Sequence, residues 1–210
     1  MDFNYFKNKI ATLSQISVGG LEAQFKLAPK FRAQYSKNLV TQKNPKKAAV
    51  VALFYPNAKG ETSFLLTLRA SYNGTHSAQI SFPGGKFEKS DTSLKQTAIR
   101  EANEEVGVEK NDIGIFKQMT NVYIPPSNFL VTPFLGLLKY EPIFTINNEV
   151  EKIITISLKD LLKETSISKT TVTTSYAKNV QVPCFVLNNY TVWGATAMML
   201  SEIRELLKNL

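Results

Sequence analysis

Five carboxylates fall between Glu88 and Glu105, and three of them, Glu101, Glu104 and Glu105, crowd into five residues. The whole chain carries a formal charge of +8, so this stretch reverses the local balance. On an α-helix, residue i+3 lies about 60° behind residue i, and residue i+4 about 40° ahead, so the three glutamates share one face. Adjacent like charges cost an exposed helix roughly a few tenths of a kcal/mol per pair. Arg100, four residues before Glu104, relieves part of that. Two readings compete. One is a solvated polar face that tolerates the repulsion. The other is an oxygen-donor set for a hard divalent cation, which gathers carboxylate oxygens in a small volume and turns repulsion into attraction. The preceding "FPGG" (82–85) favours the second. A Gly84–Gly85 turn lets backbone carbonyls approach the same ion, because glycine has no side chain in the way. The chemistry that follows is Mg²⁺ or Mn²⁺ and, across it, a polyphosphate.

The elements that must position these groups are legible around them. Leu94, Ala98, Ala102 and Val106 form one apolar stripe with Ile99 beside it, which predicts a helix over 93–106. Ser93 and Gln96 make a capping-box pattern, and Gly107 is placed to end the helix in a left-handed cap. Upstream, "AAVVALFY" (48–55) reads as a buried strand and "TSFLLTLRA" (62–70) as a second, joined by the turn-forming "PNAKGE". "AQISF" (78–82) is a short strand stopped by Pro83. "IFKQMTNVYI" and "FLVTPFLGLL" read as strands flanking the stiff loop "PPSN"; 152–157, 170–176 and 181–187 are further strands, with a short helix after Ser157. Residues 3–14 and 195–210 read as amphipathic helices, and basic 28–47 as a linker or arm. The expected organisation is an N-terminal helix and arm (1–44) packed on one domain (45–210). Strands and helices mix without a βαβ rhythm, which predicts an α+β fold with a mixed sheet covered by helices.

Composition narrows the function classes. The chain has 210 residues, 43% hydrophobic and 20% charged, an ordinary globular balance. No run approaches the roughly 20 apolar residues of a membrane span. The N-terminus "MDFNYFKNKI" lacks a signal pattern, so the expected location is cytoplasmic. The single cysteine, Cys184, lies in an apolar run and reads as a core thiol. The positive charge suits an anionic partner, but no nucleic-acid-binding signature accompanies it. The expected partner is a small phosphorylated molecule, with neither nucleic acid nor membrane.

Gly84-Gly85, Asp91 and Arg100-Glu101-Ala102-Asn103-Glu104-Glu105-Val106-Gly107 together resemble the signature of the Nudix hydrolases. Asp91 stands where the usual loop residue is glutamate, and the Gly85–Arg100 spacing is one residue longer than the commonest form. Both departures match the coenzyme A pyrophosphatase-like branch. "LLTLRA" (65–70) followed by "FPGG" also resembles that branch, departing at Ala70, Gly74 and Ala78, as do "IPPSNFLVTPFLG" and "WGATA". The resemblance covers about residues 45–200.

The resemblance implies an α/β/α sandwich and metal-dependent cleavage of a diphosphate. It implies Glu104 and Glu105 as principal Mg²⁺ or Mn²⁺ ligands, the Gly84 carbonyl as a further ligand, and Glu101 completing the cluster or orienting water. Arg100 steadies the glutamates. Asp91 either binds a second metal through water or caps the helix start. Arg69 either pairs with a substrate phosphate or makes a rim salt bridge. Glu149 is a second candidate base. His76, the sole histidine, reads as a solvated loop residue, and Trp193 as core rather than an adenine platform. The leading expectation is hydrolysis of coenzyme A to 3′,5′-ADP and 4′-phosphopantetheine. A broader pyrophosphatase for ADP-ribose, NADH or dinucleotides, and a non-catalytic nucleotide sensor, are the alternatives. A homodimer is left open.

Overall fold

The computed structural model describes residues 1–32, 40, 42–70, 79–174, 177–208 and 210. The expected roles of His76, Gly74 and Ala78 fall outside the described residues. The apolar run of the first strand becomes β1 (Lys46–Pro56), whose side chains are buried from Ala48 to Tyr55. Side chains alternate across a strand. Ala48, Val50, Ala52 and Phe54 therefore enter one core, while Ala49, Val51, Leu53 and Tyr55 enter another on the opposite face. A strand buried on both faces must lie inside a sheet with a layer on each side.

β1 pairs antiparallel with β2 (Thr62–Arg69) only at Phe54–Pro56, opposite Phe64–Thr62. Beyond that the two strands part. The gap takes β3 (Ile80–Ser81) against β2 and β4 (Gly84–Lys86) against β1. Between them Phe82 is buried, and the Pro83 carbonyl accepts the Val51 N–H at 3.0 Å. Gly84 and Gly85 thus lie in a strand rather than a turn, held in register with Val50 and Ala49.

On its other edge β1 runs parallel to β7 (Phe129–Leu137), which in turn carries β5 (Gly114–Gln118) and β6 (Val122–Ile124). β8 (Val150–Ser157) lines the outer edge of β2. The result is an eight-stranded mixed sheet. The "PPSN" loop is a single 3₁₀ turn, Pro125–Ser127.

One face of the sheet is covered by α3 (Leu94–Val106), through Ala98, Ala102 and Val106. The other takes α1 (Phe3–Gln15), α4 (Leu158–Leu162) and α5 (Gly194–Leu207). These layers form the α/β/α sandwich. β9 (Ile167–Thr174), β10 (Ala177–Leu187) and β11 (Tyr190–Trp193) make a separate three-stranded antiparallel sheet beside α5. Cys184, buried as expected, pairs there with Trp193.

The C-terminal helix corrects its expected amphipathic character. Ser201, Glu202 and Arg204 are all buried. Glu202 accepts the Gly20 N–H at 2.9 Å, the Gln24 amide at 3.0 Å and the Thr120 N–H at 3.2 Å. Arg204 donates to the Leu161 carbonyl at 3.0 Å. Ser201 and Glu202 face α2 (Gly20–Phe25), a helix too short for its sequence to show a period, while Arg204 faces the end of α4. Among the described residues no helix is long and apolar enough to cross a membrane.

Candidate metal and phosphate site

α3 begins where the Ser93 hydroxyl accepts the Gln96 N–H at 3.2 Å. The Gln96 side-chain Oε1 accepts the Thr92 N–H at 2.6 Å instead of the Ser93 N–H, so the reciprocal half of the box falls one residue early. Gly107 closes the helix at φ +75° with its N–H on the Asn103 carbonyl. Small Ala98 and Ala102 face Ala49, Val51 and Leu53, and let the helix sit low on β1 beside β4.

That closeness separates the three glutamates by environment. Glu105 is 2% exposed. Its Oε2 accepts the Gly84 N–H at 3.0 Å, and its Oε1 meets Arg69 Nη1 at 3.2 Å. Burial pushes its carboxyl up to about 7, against the lowering effect of Gly84 N–H and Arg69 and with the nearby Glu101 and Glu149 charges adding to the rise. Glu101 is half-buried, and burial also raises it, with Arg100 opposing. Glu104 is the exposed member, its side chain 49% accessible.

Gly85 explains the position of Glu101. A Cβ at residue 85 would stand 2.4 and 2.6 Å from the two Glu101 oxygens, so the carboxylate occupies the space a side chain would fill.

Arg100 ties the cluster together. Its Nη1 lies 3.0 Å from both Glu101 Oε1 and Glu104 Oε2, and its Nε and Nη2 hold Asp91 at 3.0 and 3.1 Å. Asp91 is buried and also accepts the Glu88 N–H at 3.0 Å and the Thr97 hydroxyl at 2.9 Å. Its hydrogen bonds from Arg100 bring its pKa down to about 2. Through these bonds Asp91 anchors Arg100 and the entry to α3. Asp91→Asn is expected to destabilise the protein by about 1–3 kcal/mol, because it removes the charged acceptor of two Arg100 hydrogen bonds while leaving Glu101 and Glu104 as its remaining partners. The folded pKa is depressed, so the Asp91 contribution is present above its ordinary 3.8 and is lost as pH falls through about 2. Urea titrations of both proteins at pH 7 check the size; equal midpoints would remove the anchor role.

Arg69 makes the rim pairing that was one of its two readings. Its Nη2 reaches Glu149 Oε2 at 2.9 Å while Nη1 holds Glu105. Sequence reasoning gave no hint that Arg69 touches Glu105, and Thr97 and the Lys86 carbonyl, which accepts from Arg100 at 3.1 Å, also escaped it.

The donor set suits a hard divalent cation. It is all oxygen, and Gly85 leaves room for the Glu101 carboxylate against the backbone. Among the described residues no three His, Cys, Asp or Glu side chains stand close enough together to hold an ion between them as placed.

The chain resembles known proteins in sequence and in fold. The chain is 28% identical over 185 residues to Nudix hydrolase 3 of Caenorhabditis elegans, covering 80% of this chain and 77% of that protein. It is 32% identical over 155 residues to the peroxisomal coenzyme A diphosphatase ndx-8 of the same organism, covering 72% of this chain and 64% of that protein. Among solved structures, the fold matches the Nudix hydrolase RenU of M. smegmatis with TM-score 0.56 at 15% identity, over 79% of this chain and 88% of that one. It also matches the NUDIX domain of Shewanella oneidensis NrtR with TM-score 0.53 at 17% identity, over 85% and 97%. Residues 45–174 match the family model of the NUDIX domain, which takes in β1, the glycines of β4 and the whole of α3. The chain therefore belongs to the Nudix family, as a hydrolase of phosphorus-containing anhydrides with a coenzyme A pyrophosphatase-like relative.

Proposed function

We propose that the protein hydrolyses the diphosphate of coenzyme A or a close derivative, yielding 3′,5′-ADP and 4′-phosphopantetheine. The observation that carries a diphosphate substrate is the glutamate face of α3 set against the Gly84–Gly85 backbone. Coenzyme A is favoured within that class by the relative named a coenzyme A diphosphatase and by the likeness of residues 65–70 and 82–85 to that branch.

In this reading Glu104, Glu105 and the Gly84 carbonyl hold Mg²⁺ or Mn²⁺. Glu101 completes the set or orients the attacking water. When bound, the ion lowers the pKa of water and neutralises charge that builds at phosphorus. Arg100 keeps Glu101 and Glu104 in place through its Asp91 anchor. Arg69, at the rim, is the proposed partner of a substrate phosphate, a bidentate contact suited to a guanidinium. A cytoplasmic location and an arm formed by residues 1–44 belong to the same proposal.

Activity is expected to need added divalent cation and to vanish in chelator while the protein stays folded. The reason is that the layers are held together by two large apolar clusters, one on each face of the sheet. Circular dichroism alongside turnover checks this. Cooperative unfolding on chelation would assign the ion a structural role, and turnover without metal would overturn the reading.

Substrate choice is tested by product analysis across coenzyme A, 3′-dephospho-coenzyme A, ADP-ribose, NADH and diadenosine polyphosphates. The excess of positive charge favours the extra phosphate. One charge-assisted contact of roughly 1.5–3 kcal/mol gives coenzyme A about a ten- to hundredfold advantage in kcat/KM over its dephospho form. Raised salt should narrow the gap. Equal efficiency would mean the 3′-phosphate is not read, and faster cleavage of ADP-ribose would make this a broader nucleotide pyrophosphatase.

A further inference from the structure

Arg69 occupies the oxygen of Glu105 that the Gly84 N–H leaves open. Glu105 Oε2 takes the backbone N–H, and Oε1 takes Arg69 Nη1 at 3.2 Å. The other end of the same guanidinium is held by Glu149 at 2.9 Å. Arg69 is therefore shared between a buried carboxylate and an exposed one, with side-chain exposures of 2% and 64%.

The backbone builds this arrangement deliberately into the end of β2. The β2–β8 ladder runs Leu68↔Lys152 and then Arg69↔Val150, skipping one residue of β8. Such a bulge re-aims the side chain beside it. The Glu149 loop is fastened to the same strand end, with the Ala70 N–H on the Glu149 carbonyl at 2.9 Å and the Glu149 N–H on Asn147 Oδ1 at 2.9 Å. Glu149 thus stays beside Arg69 whichever carboxylate Arg69 favours.

A buried carboxylate needs a compensating cation, and two cations cannot share one oxygen without mutual repulsion. We infer that Arg69 is the built-in counter-ion of Glu105, which a divalent cation displaces, and that Glu149 holds Arg69 when it leaves. The pair forms a clamp that neutralises the site before it is loaded and clears it when the ion arrives. Arg69 and Glu149 act through Glu105 and are positioning residues in this step. The inference rests on Glu105 as a metal ligand, as proposed above.

The test is Mn²⁺ binding to the intact protein by calorimetry, with no nucleotide present. Removing the competitor in Arg69→Met is expected to tighten Mn²⁺ binding about tenfold. Removing the holder in Glu149→Gln should weaken it several-fold, because Arg69 then leaves Glu105 less readily. Glu149→Gln should change little in the Arg69→Met background, since its effect passes through Arg69. If Arg69→Met does not fold, Arg69→Lys takes its place in the cycle, with a smaller gain of the same sign. Unchanged or weaker binding in the Arg69 variant overturns the clamp. So does an equal Glu149→Gln effect in both backgrounds, which would put Glu149 in direct electrostatic contact with the ion. A wild-type protein that binds no Mn²⁺ would instead overturn the proposed ligand set itself.

Discussion

Glu105→Gln is expected to lower kcat by at least about 10²-fold while the protein still folds, the scale of losing a group that stabilises the transition state. The fold is expected to survive because Arg69, shared by Glu105 and Glu149, keeps Glu149 as its partner when Glu105 is neutralised. Burial puts the Glu105 carboxyl near 7, so its neutral form, close to glutamine in shape, is populated at moderate pH. Catalysis does not survive, because an amide is a poor ligand for a hard cation and leaves the site one negative charge short. Glu104→Gln should act alike on turnover from its exposed position, held 3.0 Å from Arg100. Near-wild-type turnover of either variant at saturating metal would take that residue out of the site.

The same substitution has a signature in stability. The folded pKa of Glu105 is raised above the ordinary 4.5, so its neutral form is the one that suits the fold. Its contribution is fully present below about 4.5 and is lost as pH rises through about 7. In chelator the wild-type protein should therefore lose up to about 3 kcal/mol between those values, and Glu105→Gln should lack that slope. Urea titrations in chelator at pH 5 and pH 8 measure both. Parallel behaviour of the two proteins would show that Glu105 ionises freely and is not buried as described.

The two glycines of β4 should fail in opposite ways. A Cβ at Gly84 would lie 2.3 Å from the Ala49 carbonyl oxygen and 2.6 Å from the Val50 Cα. Both belong to the backbone of the central strand, which can yield only by parting β4 from β1. Gly84→Ala is expected to cost about 3 kcal/mol or more, the upper end for overpacking. At Gly85 the atoms met are the ends of the Glu101 side chain, which can swing away. Gly85→Ala should keep its stability within about 1 kcal/mol yet lose about ten- to a hundredfold in kcat, as a displaced catalytic group does. Urea denaturation and turnover on the same preparations separate the two. A stable Gly84→Ala would contradict the β1–β4 pairing, and a fully active Gly85→Ala would mean that the placement of Glu101 is immaterial.

Helical spacing placed Glu101, Glu104 and Glu105 on one face, and the Ser93 and Gly107 caps marked the ends of α3 within a residue. The unbroken apolar run of β1 announced a buried strand, and the structure buries it on both faces. These features are legible because periodicity and capping describe angles and hydrogen bonds around a local axis, within a few residues of chain. What stands opposite a face is a different quantity. That Glu105 is buried while Glu104 is exposed depends on β4 lying against α3, which follows from the parting of β1 and β2 around residues 80–86. The Arg69 pairs join residues 36 and 80 positions apart, and no local pattern encodes that distance. Asp91 read as a ligand or a cap by position, and its bonds to Arg100 and Thr97 appear only once the loop folds back on α3. The polar face of α5 promised solvent, yet α2 and the end of α4 covered it, and α2 gave Glu202 partners. In each case the residue type and its angle on the element were local properties, and the environment was set by packing between segments remote in sequence.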